Sequence, residues 1–200
     1  TAVLIRAAGT TFCSGADLSE ASGEGMEQAA GVLVELQRRI VTLSKPVVTR
    51  VHGNVRAGGI GIVAASDVAI TAEDATYAFT EVRLGLTPAA ISLSVLPRIT
   101  DRAAARTFLT GETFDGRAAA AMGLATTAVS REELDTEVDA VRSALAKGNP
   151  QGLLETKRLL GRGLVERIDR DGADLARLSA RLFASEEAKA AMRSFLERKR

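Results

Sequence analysis

Tryptophan is absent from the 200-residue chain, tyrosine occurs once and aromatic residues make up only 4%. That excludes the row of stacking rings with which single-stranded nucleic acid is usually held. Neither sign of charge prevails: 26 Lys and Arg face 25 Asp and Glu, for a net charge of +1. The electrostatic footprint of a nucleic-acid binder is therefore missing too. The single cysteine, Cys13, cannot form an internal disulfide, which fits a reducing, cytoplasmic setting. With one histidine, His52, there is no His/Cys/Glu cluster at ligand spacing and no Gly-x-Ser-x-Gly elbow, so neither a metal nor a serine-hydrolase triad is expected. No apolar run approaches the roughly 20 residues that cross a bilayer, and no signal peptide is visible. An apolar run directly after Thr1 leads us to expect further sequence ahead of it.

What remains is a chain with 46% hydrophobic residues, enough for one globular core. Ala2 to Ala8 reads as a buried strand, and the Gly- and Ser-rich stretch 10–25 as a loop. Leu33, Leu36, Ile40 and Leu43 predict one face of an amphipathic helix that stops before Pro46. Pro46 to Gly53 predicts a strand, Ala57 to Ser66 a buried helix, and Asp67 to Ala72 and Thr76 to Thr80 two short strands. Helices then follow: Thr100 to Gly111, Arg117 to Met122, Arg131 to Lys147, Pro150 to about Gly161, and Gly172 to Arg200. Leu134, Val138, Val141 and Leu145 share one face of the third of these. The expected division is a core over 1–130 and a helical region over 131–200.

The segment HGNVRAGGIGIVAASD (52–67) carries most of the chemical information. A carbonyl that gains negative charge needs backbone N–H groups aimed at its oxygen. A helix N-terminus supplies unpaired N–H groups and partial positive charge, and glycine lets a ligand approach the backbone. Ala57-Gly58-Gly59 at a helix start meets that need, and Ser14-Gly15-Ala16-Asp17 is a candidate for a second donor loop. Either alone reads equally as a tight turn with close packing.

FCSGADLSE (12–20), HGNVRAGGIGIVAASDVAI (52–70) and TYAFTEVRLGLTP (76–88), in that order, resemble the enoyl-CoA hydratase/isomerase (crotonase) superfamily. TGETFDGRAAAAMGLATTAV (110–129) and the closing FLERKR (195–200) extend the resemblance to the C-terminus, and EVRLGLTPAAIS is similar to the methylglutaconyl-CoA hydratase-like branch. The resemblance implies an α/β fold, a superhelix of ββα turns followed by C-terminal trimerisation helices, assembled as a homotrimer or hexamer. It implies an acyl-CoA thioester substrate, held by the amides of Ala16 and Gly58 as an oxyanion hole, with no cofactor beyond the CoA moiety. Ser14 to Leu18, including Asp17, would line the CoA, and Phe195 and Arg198 would reach a neighbouring subunit's CoA. Of the two glutamates that family hydratases use, one place is held here by Gly61 and the other by Glu81.

Glu81 is therefore the expected acid/base, at a strand end that feeds a cleft. Between apolar walls its pKa would rise. Cys13 and His52 read as packing residues, Asp17 as a cap, and Arg56 and Arg83 as either surface residues or partners for an acyl-chain carboxylate. The expected function is enoyl-CoA hydratase. One glutamate alone also suffices for an enoyl-CoA isomerase, and a CoA-thioester-binding protein with little catalysis is a further alternative.

Overall fold

A computed structural model describes residues 1–15 and 25–197, with only the backbone of residue 196. The first six strands fall alternately into two sheets. Val3–Ile5 (β1), Val47–Val51 (β3), Val68–Ala72 (β5) and Thr127–Val129 (β8) form one parallel sheet in that order. Thr11–Cys13 (β2), Asn54–Arg56 (β4), Thr76–Ala78 (β6) and Thr113–Asp115 (β7) form the other, parallel except for β7 against β6. Each repeating unit gives one strand to each sheet and then a helix: β1–β2 with Gly25–Thr42 (α1), β3–β4 with Gly58–Ala65 (α2), β5–β6 with a 3-10 turn Thr80–Leu84 and Ala89–Val95 (α3). Helices Asp101–Thr110 (α4), Gly116–Ala121 (α5), Leu134–Ala146 (α6), Pro150–Phe183 (α7) and Glu186–Glu197 (α8) complete the described chain. The expected α/β superhelix of ββα turns is the architecture observed.

The interior is built from the strands' branched aliphatics, with Val48, Val51, Val55 and Ile70 fully buried beside Ile60 of α2. Each such side chain contributes about 1.5–3 kcal/mol relative to exposure. Phe79 stacks obliquely on Phe108 at 4.3 Å, and Tyr77 on Phe114 at 5.5 Å, which joins four of the seven aromatics into one cluster. Leu134 and Val138 of α6 are buried as their spacing predicts.

Several expectations are corrected. Thr11–Cys13 is strand, not loop, and Asn54–Arg56 is a strand between β3 and α2. In α1 the buried face is rotated: Gln37 is fully buried, whereas Leu36 and Leu43 are 38% and 40% exposed. The separate helices expected before Gly161 and after Gly172 are one 34-residue helix, α7. Gly161 and Gly172 end nothing because they are needed for approach: a Cβ on Gly161 would lie 2.9 Å from Val41, and one on Gly172 2.8 Å from Val34, both on α1. Lys157 of α7 adds a buried anchor, donating to Ile40 O at 2.8 Å and to Asp67 at 2.6 Å.

Candidate functional site

Three neighbouring parallel strands, β2, β4 and β6, run in the same direction, and their carboxyl ends deliver Ser14, Gly58 and Glu81. In open parallel sheets that is where ligands bind. β2 leads into Ser14 and Gly15, β4 into Ala57 and Gly58, and β6 into Glu81.

The turn from β4 to α2 is abrupt. Ala57 has φ 46° and ψ −126°, a backbone region that side chains disfavour, and α2 begins on the next residue. No side chain caps this helix end, and within its first turn the Ile60 N–H turns back to Ala57 O at 2.9 Å. The turn also touches the β2 loop. Gly15 has φ +94°, and a Cβ there would lie 3.1 Å from the Ala57 methyl. One residue on, a Cβ at Gly59 would lie 2.5 Å from Cys13 Cβ. The two loops read from sequence as paired donors are thus packed against each other through glycine contacts. Gly58 itself faces α1, with Leu33 Cδ1 3.2 Å from its Cβ position. Ala16, Asp17 and Leu18 of the first loop lie outside the described residues, as does Arg198. Ser14 is exposed, and Phe195 lies on α8.

Glu81 sits in the 3-10 turn directly after β6. Its Oε2 is buried and makes no hydrogen bond among the described residues. Burial pushes the carboxyl pKa above its ordinary 4.5, with a backbone hydrogen bond opposing the rise. The turn carrying it is braced from behind, where Leu86 packs with Ala188 and Met192 of α8, flanked by Leu84.

Gly61, one turn into α2, holds no side chain and leaves no room for one: a Cβ would lie 2.8 Å from Ile91 Cγ2 and 3.4 Å from the Gln37 carboxamide carbon. Arg98 donates to Ala64 O and Ser66 O at the far end of α2, a cation at a helix carboxyl terminus.

The remaining candidates separate from this cluster. His52 is buried with Nε2 2.8 Å from Gly9 O, a bond that pins the chain ahead of β2. Arg56 is half-buried and donates to Val55 O, Thr76 O and Thr76 Oγ1, which clamps β4 to the start of β6. Arg83 is exposed and lies beside Gly111. Sequence reasoning missed Arg98 and Gln37. Only Gln37 carried a signal, as an amide one turn from both Leu33 and Ile40.

Comparison with known proteins agrees with this arrangement. A family profile described as Enoyl-CoA hydratase/isomerase matches residues 1–200. The solved structure of an enoyl-CoA hydratase from Mycobacterium avium superposes with a TM-score of 0.93 at 43% identity, covering 98% of this chain and 76% of that one. The short-chain-enoyl-CoA hydratase of Clostridium acetobutylicum is 28% identical over 100% of this chain and 78% of its own length. The peroxisomal Delta(3,5)-Delta(2,4)-dienoyl-CoA isomerase of Arabidopsis thaliana is 29% identical over 79% of this chain and 63% of its own. The described residues contain no helix long and apolar enough to cross a membrane. With its profile match running end to end and its strands delivering the glycine turn and Glu81 to one edge, the chain belongs to the enoyl-CoA hydratase/isomerase (crotonase) family.

Proposed function

We propose that the protein is an enoyl-CoA hydratase that works through a stabilised thioester enolate with a single carboxylate. The observation that carries this reading is the buried, unpartnered Oε2 of Glu81, on the strand end beside the one that presents Gly58. A carboxylate oxygen held dry without a hydrogen bond costs stability, and such groups concentrate at sites of proton transfer. The Gly58 N–H, at the positive end of α2, and the Ala16 N–H donate to the thioester carbonyl oxygen as it becomes negative. Ser14, Asp17 and Leu18, with Phe195 and Arg198 from a neighbouring subunit of a trimer or hexamer, hold the CoA.

In this mechanism Glu81 takes a proton from water as the water oxygen bonds to C3 of the 2-enoyl thioester. The C2–C3 π electrons move into the carbonyl, giving an enolate whose oxygen lies between the two amides. Glu81 then returns the proton to C2, the carbonyl re-forms and one water has been added. A pKa raised by burial brings the carboxyl nearer the operating pH, where one group can serve in both steps. The chemistry asks for no metal or redox group.

The closed space at Gly61 favours a second reading. In a 3-enoyl to 2-enoyl isomerisation, Glu81 removes a proton from C2 and delivers it to C4, and no second carboxylate or water is needed. Steady-state hydration of crotonyl-CoA and methylglutaconyl-CoA, alongside conversion of a 3-enoyl-CoA, separates the two. Glu81→Gln is expected to lower whichever rate the wild type shows by at least about a hundredfold. Hydration by the wild type supports the first reading; double-bond migration without hydration replaces it with the second. If thioesters bind and neither reaction occurs, both readings fail.

A further inference from the structure

Gln37 is a fully buried amide in the apolar face of α1, and two of its three hydrogen bonds reach across to α3. Its Nε2 donates to Ala90 O at 3.1 Å, across to α3, and to Leu33 O at 3.2 Å. Its Oε1 accepts from Ser94 Oγ at 2.6 Å. The orientation is fixed, because turning the amide over would set Oε1 against two carbonyl oxygens. The Ser94 hydroxyl also lies 3.2 Å from Gly61 O of α2. One buried pair thus meets three helices: α1, α2 and α3.

Two of its contacts bear on the proposed reaction. Gly61 is one turn from Gly58, and Leu33, one turn before Gln37, lies 3.2 Å from the Gly58 Cβ position. Ala90 belongs to the first turn of α3, the helix that follows the segment holding Glu81. We infer that the Gln37–Ser94 pair is a positioning clamp that sets the Gly58 amide relative to Glu81. The inference rests on the enolate chemistry proposed above and adds two residues that touch no substrate.

The clamp is separable from folding. Leu33 O and Ala90 O each also accept the helix N–H four residues on. Without the amide, the Ser94 hydroxyl has Gly61 O and, at 3.4 Å, Ile91 O as alternatives. Gln37→Met, similar in volume, therefore strands no buried polar group. Ser94→Ala removes the link to α2 but leaves the buried Gln37 Oε1 without its donor, so the double variant, which strands no polar group, is the control for that cost.

The test measures kcat and KM of both variants and the double variant on whichever enoyl-CoA reaction the wild type performs, with calorimetric binding of butyryl-CoA, which has no double bond to react. A donor displaced by about an ångström can cost on the order of a hundredfold in rate, so partial displacement is expected to lower kcat about tenfold or more. KM and butyryl-CoA affinity should stay within about twofold, and the double variant should lose little more than either single one. Unchanged kcat in Ser94→Ala overturns the clamp, whether or not Gln37→Met folds. So does a loss of kcat matched by an equal loss of butyryl-CoA affinity, which marks general structural damage. A wild type that turns over neither 2-enoyl nor 3-enoyl thioesters overturns the enolate reading and the clamp with it, an outcome distinct from an active wild type with unimpaired variants.

Discussion

Positions 61 and 81 follow adjacent strands of the same small sheet and end with opposite contents. After β6, a half-buried glutamate holds its Oε2 away from solvent, without a hydrogen bond among the described residues. After β4, a glycine lies where a second acid would stand in a family hydratase, and Ile91 and Gln37 have closed over it. The second place is therefore not a vacant half-site that a water or substrate group fills. It has become part of the packing between α1, α2 and α3. One position keeps a carboxylate with a buried oxygen, while the other is filled by packing.

The largest expected effect comes from breaking the chemical side of this contrast. Glu81→Gln should cost at least about a hundredfold in kcat while leaving thermal stability at or above the wild-type value at neutral pH, because the variant removes a carboxylate that burial disfavours. Rate and stability moving in opposite directions would mark Glu81 as a group held at a cost for function. A parallel fall in both would mark it as structural.

Breaking the packing side has the opposite signature. Gly61→Ala puts a methyl 2.8 Å from Ile91 Cγ2, and overpacking of this kind costs about 1–3 kcal/mol in denaturant unfolding. Combining it with Ile91→Ala, which removes that Cγ2, should recover part of the loss and give a favourable coupling in a double-mutant cycle. Simple additivity would mean the wall does not close position 61. Gly61→Glu should destabilise at least as much and should not raise hydration.

The contrast was only half legible in the sequence. The glycine motif, the first-loop motif and Glu81 could be picked out because their chemistry is local to a few residues. Their convergence is a property of β2, β4 and β6, and these are three-residue strands, too short to show an alternating pattern. Gln37 was hidden because a polar residue breaks the apolar stripe, so Leu36 was assigned inward in its place. Gly161 and Gly172 suggested helix ends because glycine lowers helix propensity. Their reason is the close packing of α7 on α1, which only the folded chain reveals.

Position 57 sharpens the comparison at smaller scale. Position 61 accepts no methyl, whereas Ala57 carries one where the backbone, at φ 46°, would prefer none. Strain of this kind costs about 1–3 kcal/mol, against roughly 0.5–1 kcal/mol for the extra freedom of a glycine in the unfolded chain. Ala57→Gly should therefore raise stability by up to about 2.5 kcal/mol, read from the midpoint of denaturant unfolding. Destabilisation would mean that contact of the methyl with Gly15 outweighs the strain.

The smallest effect concerns pH, because it comes from one titrating group. The folded state holds the Glu81 proton to higher pH than the unfolded chain, whose value is near 4.5. In the window between the two values the folded form binds more protons, so stability must fall as pH rises through it. The contribution is fully present below about 4.5 and lost above the folded pKa. Glu81→Gln removes this contribution, so the stability of the variant relative to the wild type should increase with pH across the window and level off above it. Denaturant unfolding of both proteins over that range checks the sign. A difference that does not vary with pH would mean that the carboxyl titrates as it does in the unfolded chain, and that Glu81, unlike the sealed position at Gly61, is open to water.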